Sequence, residues 1–370
     1  MNYLFVVTVF VIAIYMGWII IPQIILIAFR KRLFDVADER KVHTGVVPRL
    51  GGVAFVLVQS SLLALSMFFV YKFDIVDFSL ETRTMLPAFL LLMCGLIILF
   101  MVGIVDDLIG VNYRQKFVAQ IVVASLFPLS GLWINNLYGL LGIVVLPAWI
   151  GMPLTVFVVL VVINAFNLID GIDGLCSGLA AIACTILGGL FVYNGVWLHA
   201  VFAFITTGVL IPFFYCNVFG KSKSKQRIFM GDTGSLTLGL SVSFLAVSYA
   251  MYNPDVKPFS EGAIVVAFAT LLVPVFDVIR VILLRIRTHH PLFLPDRNHI
   301  HHKFLRLGFS HHVTMILILF LALFFSLLNI IAVEYISNNI VLLADILLWI
   351  GFHLWLDKVE SFKPEHEMIK

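Results

Sequence analysis

Two adjacent carboxylates, Asp106 and Asp107, stand in the run VGIVDDLIG, and Lys116 follows nine residues after the second. Neighbouring carboxylates can hold a divalent cation or supply a general base, and a lysine ammonium can meet a phosphate as a point charge. The same residues also suit a helix end that merely needs solvation. A second set lies in NAFNLIDGIDG, where Asn164, Asn167, Asp170 and Asp173 recur every three residues and Gly171 and Gly174 free the backbone. Each step of three drifts by about 60° around an α-helix, so the first three are expected to share one broad face. Oxygen-bearing side chains at a glycine-loosened helix end suit a hard cation or a nucleotide better than lipid. A polar hinge between two helices is the alternative.

FMGDTGS at 229–235 puts Asp232 at a natural N-cap position, with Thr233, Gly234 and Ser235 in the first turn. A helix start directs free N–H groups toward an anion, and the carboxylate can hold Mg2+ against that anion; an ordinary cap has the same composition. The fourth set is HHPLFLPDRNHIHH at 289–302, with Asp296, Arg297, His299, His301 and His302. Zinc competes for these histidines, but no cysteine accompanies them and the nearby acids favour magnesium. With Arg297 they can instead donate hydrogen bonds to phosphate or sugar oxygens. Asp277 and Arg280, three apart, are expected to form a local ion pair of structural role, and Asp345 to be paired or water-exposed.

The elements that must position these groups are membrane helices. Of 370 residues 61% are hydrophobic and 12% charged, the latter half the roughly 25% of soluble domains, which excludes a soluble fold. Spans of about 20 apolar residues are expected near 3–29, 50–70, 85–105, 117–134, 150–167, 175–194, 197–216, 233–252, 260–285, 314–334 and 338–356. The predicted fold is therefore an all-α, polytopic membrane protein of about eleven transmembrane helices, one integral-membrane domain over 1–370 without repeats. The first run is too long for a signal-peptide core and lacks a basic n-region, so it is read as a retained helix with its N-terminus outside. Alternation from there leaves only Lys72, Arg83 and Lys257, of 24 basic residues, on the outer side, as the positive-inside rule requires, and puts the C-terminus in the cytoplasm. The stretch 131–153, rich in Gly, Pro, Asn and Trp, predicts an outer loop or hairpin. All four chemical sets then fall at cytoplasmic helix ends or loops. Ionisable groups near membrane depth gather on bundle interiors or aqueous cavities, which predicts a single site. A net charge of +3 gives nucleic-acid binding no support, and the cysteines at 94, 176, 184 and 216 suggest neither a zinc motif nor disulfides.

With Asp106-Asp107, Asn164 to Gly174, Phe229 to Ser235 and Asp296 to His302 in this order, and RKVHTGVVPRLGG at 40–52, nearly the whole chain resembles the polyprenyl-phosphate N-acetylhexosamine-1-phosphate transferase family. DRNHIHH is similar to the branch that starts O-antigen, enterobacterial common antigen or teichoic acid linkage units; the peptidoglycan-precursor branch looks different there. The resemblance implies that a UDP-N-acetylhexosamine gives its sugar-1-phosphate to undecaprenyl phosphate in the bacterial inner (plasma) membrane, releasing UMP. UDP-GlcNAc is the favoured donor, with another UDP-hexosamine or UDP-MurNAc-pentapeptide as the alternative. Magnesium is implied as cofactor, with manganese able to substitute. Asn167 and Asp232 would ligate the ion, Lys116 would contact phosphate, Phe229 would stack on uracil and Asp173 would bind its polar edge. Asp106 or Asp107 would be the catalytic carboxylate, and Asp170, Arg297, His299, His301 and His302 would complete the substrate-binding set. Membrane lipid and a homodimeric partner are also expected.

The chain departs from the shorter form of the family by carrying GKSKSKQR at 220–227, whose charges either meet anionic headgroups or are solvated. Because the second pKa of a phosphate monoester is about 6, the lipid phosphate is expected to attack directly, with an aspartyl-phosphate route as the alternative. The competing class is a secondary transporter, whose sites lie at mid-membrane between inverted repeats; here the acids gather at inner helix ends.

Overall fold

In lipid no water satisfies backbone N–H and C=O groups, so apolar runs of this length must fold as helices. The computed structural model describes residues 1–33, 47–73, 79–221, 226–289 and 298–361. Asp296, Arg297, the whole RKVHTG portion of the early motif and the centre of the basic loop lie outside the described residues. The helices are α1 (Asn2–Lys31), α2 (Gly52–Phe73), α3 (Ser79–Ile109), α4 (Tyr113–Leu129), α5 (Ala148–Ile169), α6 (Leu175–Tyr193) and α7 (Trp197–Phe214), the last widening into a π-turn at Tyr215–Phe219. They continue with α8 (Gly231–Ala250), α9 (Ala263–Ala269), α10 (Leu272–Arg287), α11 (Ile300–Arg306), α12 (His311–Ala332) and α13 (Asn338–Ser361).

Among the described residues nine helices are long and apolar enough to cross a membrane, and α9 with α10 would make ten. The expectation of eleven counted two further segments as full spans. The run 260–285 is broken into α9 and α10, which meet at 77°. The run 117–134 folds as the 17-residue α4, about 26 Å of rise against a hydrocarbon core of about 30 Å. It ends early because Ser130 closes the last turn and Gly131 follows at φ +82°. A hairpin forms in the stretch 131–153 as expected, Asn136 bridging Val145, although α5 begins inside that range.

Helix α8 is the axis of the bundle. The window that qualifies it as a span is 100% buried, and α2, α3, α5, α6 and α7 surround it. Such enclosure explains its composition: Thr237, Ser241 and Ser243 return their hydroxyls to the carbonyls of Thr233, Thr237 and Gly239, so small polar residues lose nothing by facing protein. Close approach at its first turn depends on two glycines, since a Cβ on Gly52 would strike the backbone of Thr233 and Gly234, and one on Gly103 the backbone of Thr233. Gly103→Val is expected to lower melting temperature and activity together, by about 1–3 kcal/mol of overpacking. Thermal unfolding of the purified variant checks this; an unchanged melting temperature would mean that α3 and α8 separate freely.

The far end of the bundle is stitched by neutral groups: Asn135 to Tyr252, the Tyr138 hydroxyl to Ala250, and Asn338 to the carbonyls of Tyr138 and Glu261. The acids and cations that could do chemistry sit at the other end.

Candidate active site

Asp106 and Asp107 lie in the last turn of α3, and the chain turns sharply through Gly110 at φ +85° into α4, whose N-cap Asn112 accepts from Arg114 N. This tight return brings Lys116 back onto α3. Its Nζ lies 2.9 Å from Asp106 Oδ2 and 2.9 Å from Asp232 Oδ2, so one ammonium bridges carboxylates of α3 and α8. The other oxygen of Asp106 accepts from Val111 N at 2.7 Å.

The start of α8 corrects the expected cap. The helix begins at Gly231, so Asp232 stands inside the first turn and no side chain from the N-cap residue Met230 closes it. Asp107 does so from α3: its Oδ1 accepts from Asp232 N at 2.7 Å, and its Oδ2 from Thr233 N at 3.0 Å and Thr233 Oγ1 at 2.6 Å. Gly231 is required where it stands, at φ +73°, because any Cβ would collide with the Arg49 carbonyl and the Asp107 carboxylate. The PRLGG segment braces the same turn: Phe229 N donates to Pro48 O, and Gly51 N and Gly52 N donate to Phe229 O and Met230 O.

From α5, Asn167 donates to Asp232 Oδ1 at 2.5 Å and to Ser235 Oγ at 2.8 Å. Asn164 does not join it; its amide bonds Gln120 on α4 and the Leu160 carbonyl, so the drift along the helix separates the two. Asp170 caps α5, and burial, then the charges of Asp232, Asp173 and Asp107, push its carboxyl up to about 8 against the pull of Arg49. Asp173 pairs with the Arg227 guanidinium and accepts from Asn217 Nδ2 at 3.1 Å. That guanidinium also lies over the Phe229 ring, 5.5 Å from its centre. Asp173 and Phe229 are thus brought to one place with Arg227 between them. Asn217, from the π-turn, accepts from Gly174 N at 2.7 Å and donates to Ile228 O at 2.9 Å, tying the α5–α6 turn to the FMGD segment. Arg227 closes the GKSKSKQR run, whose charges were expected to meet headgroups or water; it instead turns in to Asp173 and Phe229. Asn217 carries no motif, and an amide at the apolar end of α7 was the available signal.

The histidines approach the same turn from the other side. A Cβ on Gly171 would strike the His301 ring, so the pair is in van der Waals register. The rings of His299 and His301 are parallel, 5.9 Å apart, and His302 lies 4.2 Å from His301. Burial, then the neighbouring His302 and His299, pulls His301 down to about 3. Its folded value is below the unfolded one of about 6.5, so the unfolded chain binds the extra proton; the stability contribution is complete above about pH 6.5 and lost as pH falls toward 3. Lowering pH from 7.5 to 5 is therefore expected to reduce the melting temperature, with a shallower dependence in His301→Asn. Parallel curves for the two proteins would refute it.

Fold and site together define a polytopic helical membrane protein that concentrates carboxylates, amides and cations at one end of its bundle. A family model described as glycosyl transferase family 4 matches residues 89–250, from the middle of α3 to the end of α8. The chain is 31% identical, over 97% of its length and 94% of the relative's, to a protein of Bacillus subtilis (strain 168) named probable undecaprenyl-phosphate N-acetylglucosaminyl 1-phosphate transferase. It is 29% identical to undecaprenyl-phosphate alpha-N-acetylglucosaminyl 1-phosphate transferase of Yersinia pestis, over 82% of this chain and 78% of the relative. Its identity to decaprenyl-phosphate N-acetylglucosaminephosphotransferase of Mycobacterium tuberculosis (strain ATCC 25618 / H37Rv) is 31%, over 76% and 70%. The chain belongs to glycosyl transferase family 4.

Proposed function

We propose that this protein transfers N-acetylglucosamine-1-phosphate from UDP-GlcNAc to undecaprenyl phosphate, releasing UMP, at the cytoplasmic face of a bacterial plasma membrane, as the first membrane step of a cell-surface polysaccharide. The observation that carries it is the Lys116 ammonium bridging Asp106 and Asp232, with Asn167 on Asp232 and the Asp173–Arg227–Phe229 group alongside. A diphosphate needs a cation at the reacting phosphorus, and a nucleotide needs a ring and a polar partner at its base. The names of the relatives supply the sugar and the lipid, and the bias of basic residues supplies the side.

The donor set suits magnesium. Asp232 and Asn167 offer hard oxygens, and the charges of Asp107, Asp173 and Asp232 all act on Asp170. Magnesium needs few protein ligands, because it retains water and takes substrate phosphate oxygens. Bound there, it would offset negative charge on the diphosphate.

In the reaction an oxygen of the lipid phosphate bonds to the sugar-bearing phosphorus. The bond from that phosphorus to the oxygen shared with the uridine-bearing phosphorus breaks, and UMP leaves with the electron pair. Lys116 supplies positive charge beside the transferring group. Since the acceptor is largely dianionic at pH 7, with its second pKa at about 6, no strong base is required.

Purified protein incubated with undecaprenyl phosphate, Mg2+ and a panel of UDP-sugars tests this by UMP release. Lipid-dependent release with UDP-GlcNAc is expected. Release with another sugar alone would reassign the donor, and folded protein inactive with every sugar would overturn the transferase. Phosphorylated enzyme trapped without lipid would overturn direct attack.

A further inference from the structure

Asp277 and Arg280 do form the ion pair expected from their spacing, at 2.9 Å, but the pair also meets residues 298–300. Asp277 is completely buried. Its Oδ2 lies 2.8 Å from His299 Nδ1, and its Oδ1 accepts from Ile300 N at 3.0 Å. Arg280 donates to the Asn298 carbonyl. Two residues one turn apart thus hold three consecutive residues of the histidine segment by backbone and ring. Helix α13 braces the far side of α11, through Lys303 with Asp357 and Arg306 with Glu360.

Helix packing alone gives no reason for a charged pair at this depth, because a buried ion pair is often no more stabilising than apolar residues of the same volume. What the pair adds is orientation. A carboxylate on one ring nitrogen fixes an imidazole's rotation and keeps the proton on that nitrogen, leaving the opposite edge, here Nε2, to meet a ligand. The parallel His301 ring then lies on Gly171, in the turn that carries Asp170 and Asp173.

We propose that Asp277 and Arg280 are positioning residues that clamp the 298–300 segment and aim His299 at the UDP-sugar rather than at the lipid acceptor. The donor is chosen because His301, the residue after the clamped segment, abuts the Gly171 turn, whose Asp173 joins Arg227 and Phe229 at the nucleotide end of the site. The inference rests on the proposed transferase reaction.

Its test compares wild type, Asp277→Asn, His299→Ala and the double variant with UDP-GlcNAc, undecaprenyl phosphate and Mg2+. An amide has one acceptor oxygen where the carboxylate has two, so the side chain in Asp277→Asn cannot accept from both His299 and Ile300. Each single variant is expected to raise KM for UDP-GlcNAc about tenfold and to leave KM for undecaprenyl phosphate unchanged. The double variant should be no worse than His299→Ala alone; additive losses, or a shift in the lipid KM instead, would overturn the proposal. A second readout needs no turnover: hydrogen exchange at Ile300 should quicken in Asp277→Asn and in Arg280→Lys, the latter serving if the former fails to fold. Unchanged exchange would overturn the clamp. A wild type inactive with every UDP-sugar, yet with exchange responding as expected, would overturn the reaction and the donor assignment while leaving the clamp standing.

Discussion

Asp232→Ala should reduce lipid-dependent UMP release about a thousandfold, roughly 4 kcal/mol in the barrier, while leaving the melting temperature almost unchanged. Asp232 is where three helices meet through side chains: Lys116 of α4 on one oxygen, Asn167 of α5 on the other, and its own backbone N–H on Asp107 of α3. Deleting the carboxylate removes a hard oxygen from the centre of the proposed cation and phosphate site. It also relieves repulsion, because Asp106, Asp107 and Asp170 all feel its charge. That relief offsets part of the lost Lys116 and Asn167 contacts, and Lys116 keeps Asp106 while Asn167 keeps Ser235. Lost activity with retained stability is therefore the expected signature. A fall in melting temperature that tracks the loss of activity would make Asp232 a structural residue and remove it from the site.

Asp107→Ala should behave differently from Asp106→Ala, although the two carboxylates are adjacent. Asp107 receives three donors from the first turn of α8, and its removal strands them at about 1–3 kcal/mol for each one left buried and unpaired. The turn then shifts, carrying Asp232 away from Lys116, and a displacement of about 1 Å is worth about a hundredfold in rate. Activity and melting temperature should fall together, and Asp107→Asn, which keeps one acceptor oxygen, should lie between. Asp106→Ala leaves Lys116 its contact with Asp232 and should cost less stability. If Asp107→Asn proved as inactive as Asp107→Ala while melting like the wild type, the carboxylate would be acting on substrate rather than on the helix.

Most of the span positions were legible because hydropathy is a sum over many residues and tolerates local detail. Local detail is where the expectations failed. The bend between α9 and α10 falls at Thr270 and Leu271; Pro274, which has no N–H to donate back to the Thr270 carbonyl, was the local signal, and a hydropathy sum over the apolar run passes over it. The four chemical sets were legible as clusters of costly polar residues in an apolar chain, and three of them, with the described part of the fourth, converge at one end. Their pairings were not, because each crosses a large sequence distance: Asp107 caps a helix 125 residues away, and Arg227 meets Asp173 across 54. A cap donated by another helix leaves no local signature, so Asp232 took the N-cap position that its sequence neighbours suggested. Likewise the spacing of Asp277 and Arg280 revealed their mutual contact and not the histidine segment that both serve.

The enclosure of α8 also bears on how the protein is made. Its mean hydropathy of 1.3 is the lowest among the candidate spans, and its hydroxyls and glycines suit neighbouring helices rather than acyl chains. Delivered alone to a bilayer, it has the least to hold it there. Its lasting insertion must wait until α2, α3 and α5 close around it, and the Lys116, Asn167 and Asp107 contacts to its first turn arise only then. Biogenesis and competence are thereby linked: a partly inserted nascent chain holds the individual acids but not their arrangement, and acquires the capacity to bind its ligands only when its central helix is locked in place.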